Sequence, residues 1–235
     1  MKFLYSMILL LWCSFSFAQA INQFDPNGNR HGIWKKNFEG TKSVRYEGEF
    51  KHGKEIGLFK FYKYIDKTSM LSATKQFNDS NDVAEVKFYS SKGHVISSGK
   101  MDGKKFIDTW TYFHKNSDKV MRIEQYDSSG MQQGELLVYF ENGELAEKSN
   151  YVNGNLEGNS AWFNENGIKI KEFTYRNNIL DGPSKYYTNS GKLLVEGSYK
   201  NGRKHGIWKY YEDEKLKEEK DFTRKSKNPY KRKAP

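Results

Sequence analysis

The sequence predicts an all-β protein, an elongated antiparallel β-meander of about eight hairpin repeats, each 24 residues long in its regular form. Three observations carry this prediction. Gly134, Gly158, Gly182 and Gly206 stand 24 residues apart, and the pentapeptide HGIWK occurs at 31–35 and again at 205–209. Aromatic residues recur at fixed places in that period, and turn pairs, Asn-Gly above all, fall between the aromatic runs in the same phase. A fixed period of this kind marks a repeat architecture in which each unit packs on its neighbours.

The chain opens with MKFLYSMILLLWCSFSFAQA, in which Lys2 precedes an apolar run from Met7 to Phe17 and Ala18 and Ala20 form an A-x-A pattern. Residues 1–20 therefore read as a secretory signal peptide cleaved after Ala20. The apolar run falls short of the roughly 20 residues that span a bilayer. Cys13, the only cysteine, lies within this segment, so the remaining chain is expected to hold neither a disulfide nor a cysteine nucleophile.

Eight units follow, beginning at Gly32, Gly57, Ala84, Asp108, Gly134, Gly158, Gly182 and Gly206, with small insertions in the earlier ones. Counting each of these residues as zero, position five is Tyr62, Tyr89, Phe113, Tyr139, Phe163, Tyr187 and Tyr211, and only the first unit departs, with Asn37. Position two is Trp34, Phe59, Val86, Trp110, Leu136 and Trp208, with Ser160 and Ser184 as exceptions. Position four supplies Trp162, Tyr186 and Tyr210, and position seventeen supplies Phe50, Phe77, Tyr151, Tyr175 and Tyr199.

Asn142-Gly143, Asn166-Gly167 and Ser190-Gly191 occupy positions eight and nine, and Asn153-Gly154 and Asn201-Gly202 occupy nineteen and twenty. Such pairs suit two-residue hairpin turns, because both residues tolerate positive φ. With two-residue turns throughout, position four pairs with thirteen, and thirteen pairs with position two of the next unit. Paired residues share a face, as do residues two apart on a strand. Positions two, four, eleven and seventeen are thus expected on one face, Leu145 and Leu193 at position eleven included. Sixteen strands at about 4.8 Å would make an array about 75 Å long.

The aromatic content of 16% rules out the usual composition of a disordered chain. The formal charge of +10 first suggests an anionic partner, but its distribution narrows that reading. Residues 21–222 form the repeat domain, with 32 basic residues against 29 acidic. Residues 223–235 form a basic tail that carries Arg224, Lys225, Lys227, Lys231, Arg232 and Lys233 and no acid, and they are expected to be a disordered extension. These six side chains are candidate contacts to an anionic membrane or polysaccharide surface. Nucleic acid is not expected as a partner, because an exported chain meets little of it.

The units resemble the bacterial MORN-repeat variant of the YwqK family, most closely over GPSKYYTNSGKLLVEGSYKNGRKHGIWK at 182–209 and nearly as well over 134–182. The resemblance extends over about residues 28–222 and is loosest between Tyr64 and Val83. It implies a β-hairpin array and no shared catalytic residues. Proteins of this kind are often labelled antitoxins, and eukaryotic relatives of the repeat are associated with membranes and scaffolding.

Little in the sequence suggests catalysis. The five histidines lack the i, i+4 spacing of a helical metal site, and neither G-x-S-x-G nor a phosphate-binding glycine motif occurs. His31, His52 and His205 are expected at solvated turns between units. The glutamates near the turns alternate with lysines and form no calcium-binding run. No cofactor or metal is expected.

The leading expectation is therefore an exported, non-enzymatic scaffold that binds an unidentified protein or cell-envelope component. The candidate binding or packing face is Trp34, Phe59, Trp110, Trp162, Tyr186, Tyr199, Trp208 and Tyr210. A YwqK-like antitoxin or immunity protein is the alternative, and a hydrolase of envelope polymers is the third.

Overall fold

The protein is seen in a computed structural model that describes residues 20–223. Apart from residue 20, the expected signal peptide lies outside the described residues, as does the basic tail from Arg224 onward.

The chain forms one open antiparallel sheet in which successive strands are neighbours. The first nine strands are β1 (Gln23–Phe24), β2 (Arg30–Asn37), β3 (Val44–Lys51), β4 (Lys54–Ile65), β5 (Thr68–Phe77), β6 (Val83–Tyr89), β7 (Val95–Asp102), β8 (Lys105–Phe113) and β9 (Val120–Tyr126). The second nine are β10 (Gly134–Tyr139), β11 (Leu145–Val152), β12 (Asn155–Leu156), β13 (Gly158–Phe163), β14 (Lys169–Arg176), β15 (Ile179–Tyr187), β16 (Leu193–Lys200), β17 (Arg203–Glu212) and β18 (Lys215–Asp221). Eight hairpins account for sixteen strands. The short β1 and the division of one strand into β12 and β13 bring the total to eighteen.

Where Asn-Gly pairs join the units, the turns are the two-residue type that those pairs predict. Asn153 and Gly154 have φ of 51° and 76°, Asn201 and Gly202 have 50° and 75°, and Val152 pairs with Asn155 and Lys200 with Arg203 across them. The turns stack on one another along that edge: the Gly154 N–H donates to the Gln132 carbonyl and the Gly202 N–H to the Leu180 carbonyl, both at 2.8 Å.

The turns inside the regular units correct the prediction. Phe140 N–H donates to the Glu144 carbonyl and Gly143 N–H to the Phe140 carbonyl, so the loop has three residues, with Gly143 at φ 93°. One residue more in the loop shifts the register by one, and a β-bulge between Val138 and Tyr139 shifts it back. Val138 therefore pairs with Glu147, the predicted four-to-thirteen pairing, by a route in which two departures cancel. Position eleven does not share in the recovery. Leu145 pairs with Tyr139 and Leu193 with Tyr187, so position eleven lies on the face of position five, opposite to the expected one.

Between units the register also slips, by two residues. Glu196 pairs with Lys209 and Ser198 with His205, which leaves three residues of β17 opposite Gly197. The cause is position zero, where Gly206 has φ 69° and bulges the strand. Position thirteen consequently meets position four of the next unit, as in Val195 with Tyr210, rather than position two. A slip of two preserves the parity of side chains, so the aromatic face survives. Ala84 lacks the positive φ, and β5 and β6 pair without any shift.

Position two is buried in every unit. Trp34, Phe59, Val86, Trp110, Leu136 and Trp208 are all core residues, and Ser160 and Ser184, expected exceptions, are each 1% exposed. Two hydrophobic clusters dominate the first half: Trp34, Phe50 and Phe59, then Ala84, Val86, Met101 and Trp110. His52 occupies a turn, with φ 49°, but His31 and His205 lie within β2 and β17 at exposed strand positions, a second correction to the turn assignments. At the far edge, β18 reads KLKEEKD and all seven residues are exposed.

Candidate binding face

A tryptophan at position two is held by features of the preceding strand. Trp208 lies flat on the Gly197 backbone and Trp110 on Gly99, each so close that a Cβ on the glycine would overlap the ring. The indole N–H then reaches the carbonyl one residue further on: Trp208 Nε1 donates to Ser198 O at 3.1 Å and Trp110 Nε1 to Lys100 O at 2.8 Å. Phe59 lies in the same way on Gly48. Burial of the Trp110 and Trp208 rings therefore depends on the glycine next door and leaves neither indole donor unpaired.

The eight predicted residues do fall on one face, but they divide into two groups. Trp34, Phe59, Trp110 and Trp208 are buried and pack the sheet. Trp162, Tyr186, Tyr199 and Tyr210 are half-buried. Around Phe173 the half-buried rings form a contiguous group, with Trp162 at 5.4 Å, Tyr186 at 5.1 Å and Tyr199 at 6.4 Å between centroids. The Tyr186 and Tyr199 hydroxyls are 3.3 Å apart.

Cations that position-by-position reading missed cap this face. Lys171 Nζ stands 4.6 Å from the Trp162 ring centre, and Lys204 Nζ stands 4.0 Å from Trp208 and 5.6 Å from Tyr210. Lys220 also approaches Tyr210, at 5.2 Å. Each ammonium sits against the electron-rich face of a ring. The signal in the sequence is that Lys171 occupies position thirteen, which pairs with position four on both sides.

Towards the middle of the array the face becomes polar. Glu124 is buried, accepts the Tyr126 hydroxyl at 2.7 Å and pairs with Arg122, whose Nε is 3.3 Å from its carboxylate. The Arg122 guanidinium lies 4.4 Å over the Tyr112 ring. Desolvation raises the Tyr126 and Tyr112 pKa values, and Glu124 raises them further, so both phenols stay neutral and donate.

On the opposite face, position-five tyrosines latch neighbouring units. The Tyr62 hydroxyl donates to Glu47 and the Tyr211 hydroxyl to Glu196, each at 2.7 Å across fifteen residues. Burial and the Glu47 carboxylate push the Tyr62 phenol up to about 12.

Near the first turn, His52 Nδ1 lies 2.8 Å from Asp25 and the His31 and His52 rings are 4.8 Å apart. The His52 hydrogen bond, with the Asn29 amide, lowers the Asp25 carboxyl to about 2. Among the described residues, no group of three His, Cys, Asp or Glu side chains is placed to hold a metal ion.

Two stretches, 132–153 and 180–201, match the model of the MORN repeat variant. Each runs from the start of a unit's first strand into the turn that joins the next, so the matched unit coincides with one hairpin of the sheet. No curated protein matches the chain. The chain thus carries, in two of its hairpins, a repeat similar to the MORN variant.

Proposed function

We propose that this protein is an exported, non-enzymatic scaffold that holds a protein or cell-envelope component on its aromatic face. The observation that carries this reading is the half-buried group Trp162, Tyr186, Tyr199 and Tyr210, capped by Lys171, Lys204 and Lys220. Among the described residues, the substantial contacts between elements run between near neighbours in the meander, and no second layer covers these rings. Tryptophan and tyrosine side chains are among the groups that dominate binding energy in protein interfaces. Binding by repeats of this kind needs no catalytic group and recruits several units at once.

The basic tail supplies a second, electrostatic attachment to an anionic membrane or polysaccharide surface, worth at most about 1 kcal/mol per basic residue near that surface. The test is capture from envelope extracts by the immobilised chain, compared with a Trp162→Ala/Tyr210→Ala variant of unchanged thermal stability. Specific capture that the double variant loses supports the reading, and capture unaffected by it refutes the assignment of the face. Truncation after Phe222 removes salt-sensitive binding to anionic vesicles while leaving the fold intact. Survival of that binding overturns the role given to the tail.

One further reading, a YwqK-like antitoxin or immunity protein, rests on the resemblance of the units to that family. It requires a toxic product encoded beside this gene, and deletion of this gene should then be tolerated only when that neighbour is also absent.

A further inference from the structure

The repeat departs most from its own pattern around the third and fourth units. Elsewhere two-residue turns join the units, but residues 78–82 connect β5 to β6 and residues 127–133 connect β9 to β10. Position zero is Ala84 in one of these units and Asp108 in the other, and Asp108 keeps the positive φ, 57°, that glycine supplies in the other bulged units.

These departures meet at one place. Three adjoining concavities, of about 580, 570 and 490 Å³, open on this stretch of the sheet. All three are lined by Lys100. Gln76 and Glu85 line the first two, and Asp108 the second and third. Gln125 and Gln133 close the far end. Together they make a groove that runs across β5 to β9, about 20 Å at 4.8 Å per strand. Its side chains come chiefly from the face opposite the aromatic group, so it is a separate site.

The lining selects the ligand. Glu85 and Asp108 balance Lys87 and Lys100, so a lining without net charge disfavours a polyanion, and apolar side chains, among them Leu58, Val83 and Ile107, share the lining with the polar ones. Every strand here is paired on both sides, so a peptide cannot add by backbone hydrogen bonding. The polar groups offered include the Thr74, Ser98 and Thr109 hydroxyls and the Gln76 amide and Glu85 carboxylate, the last two presenting donors and acceptors in one plane, with the Tyr89 ring at one end. Among the described residues, neither Glu85 nor Gln125 has a side-chain hydrogen-bond partner, while the Lys100–Asp108 pair at 2.9 Å fixes the groove's centre. We infer that this groove binds a neutral oligosaccharide, whose neighbouring hydroxyls each donate and accept, along a length of a few sugar units.

The experiment is calorimetric titration of the full chain with cellotetraose, maltotetraose and chitotetraose. At least one of the three binds, and Glu85→Gln and Gln125→Ala each weaken it about tenfold or more, the equivalent of about 1.4 kcal/mol, with unchanged circular dichroism and thermal midpoint. Trp162→Ala/Tyr210→Ala leaves the sugar affinity unchanged, which separates this site from the aromatic face. Absence of binding to all three sugars overturns the inference. So does an affinity that neither groove variant lowers, or one that the aromatic-face variant lowers equally. Sedimentation with insoluble cellulose and chitin then distinguishes a free oligosaccharide from the strand of an envelope polymer, which presents the same hydroxyls.

Discussion

The hairpin containing Trp110 and the hairpin containing Phe173 solve the same packing problem in opposite ways. In the first, position two carries the ring and the strand before it carries Gly99 beneath that ring. In the second, positions two of two successive units are Ser160 and Ser184, and Phe173 stands between them, paired with both. The bulk has moved by one strand. What the sheet requires is a ring for each small neighbour, not a ring at a particular position, because close packing constrains the local sum of volumes. The second solution is also less well satisfied, since the Ser160 and Ser184 hydroxyls are buried without a hydrogen-bond partner.

The largest test of this contrast is Trp110→Ala, which removes a fully buried ring and leaves its cavity over Gly99. Denaturant titration should register a loss of about 3 to 5 kcal/mol, and Trp208→Ala a similar one. A loss below 1 kcal/mol in both would mean that position two is not the core row. Ser184→Trp should destabilise by about 1 to 3 kcal/mol through overpacking against Phe173. Adding Phe173→Gly should restore much of that stability by rebuilding the arrangement seen at Gly197 and Trp208. If the double variant is no better than the single one, the exchange of volume between strands is not what matters.

Smaller effects probe the opposite face. Tyr62→Phe deletes a hydrogen bond to Glu47 and should lower stability by about 1 kcal/mol at neutral pH. The folded phenol titrates near 12 and the unfolded one near 10. Its contribution is therefore complete below pH 10 and lost as pH rises through 12, so the wild type and Tyr62→Phe should converge over that interval. Smaller still, Ser184→Ala should change stability by less than about 1 kcal/mol, because the hydroxyl it removes is unpaired. His205→Ala, at an exposed strand position, should stay within about 0.5 kcal/mol.

The period, the hairpins and the aromatic face were all legible in the sequence, because each rests on spacing and parity. The turn inside the unit was not, since a three-residue loop and a bulge together imitate the register of a two-residue loop. Leu145 and Leu193 reveal the difference, and their leucines suit either face. Ser160 and Ser184 read as exceptions because the compensating Phe173 lies thirteen residues after the first and eleven before the second, on the strand between them. The capping lysines were hidden for a similar reason: cation and ring meet across strands, not along them. Of the groove across β5 to β9, only its irregular joins and Asp108 were visible in the sequence, as breaks in a pattern without the shape they enclose.

The exposed final strand, charged at six of its seven positions, sets a limit on assembly. An antiparallel sheet can in principle recruit another molecule at either open edge and grow into a fibre. With KLKEEKD along one edge, a second copy would bring its own strand against three lysines and three carboxylates, and growth there is discouraged. The number of binding units is then fixed by the gene rather than by concentration, so one molecule behaves as a ruler of eight divisions whose reach neither lengthens nor shortens as more protein is made.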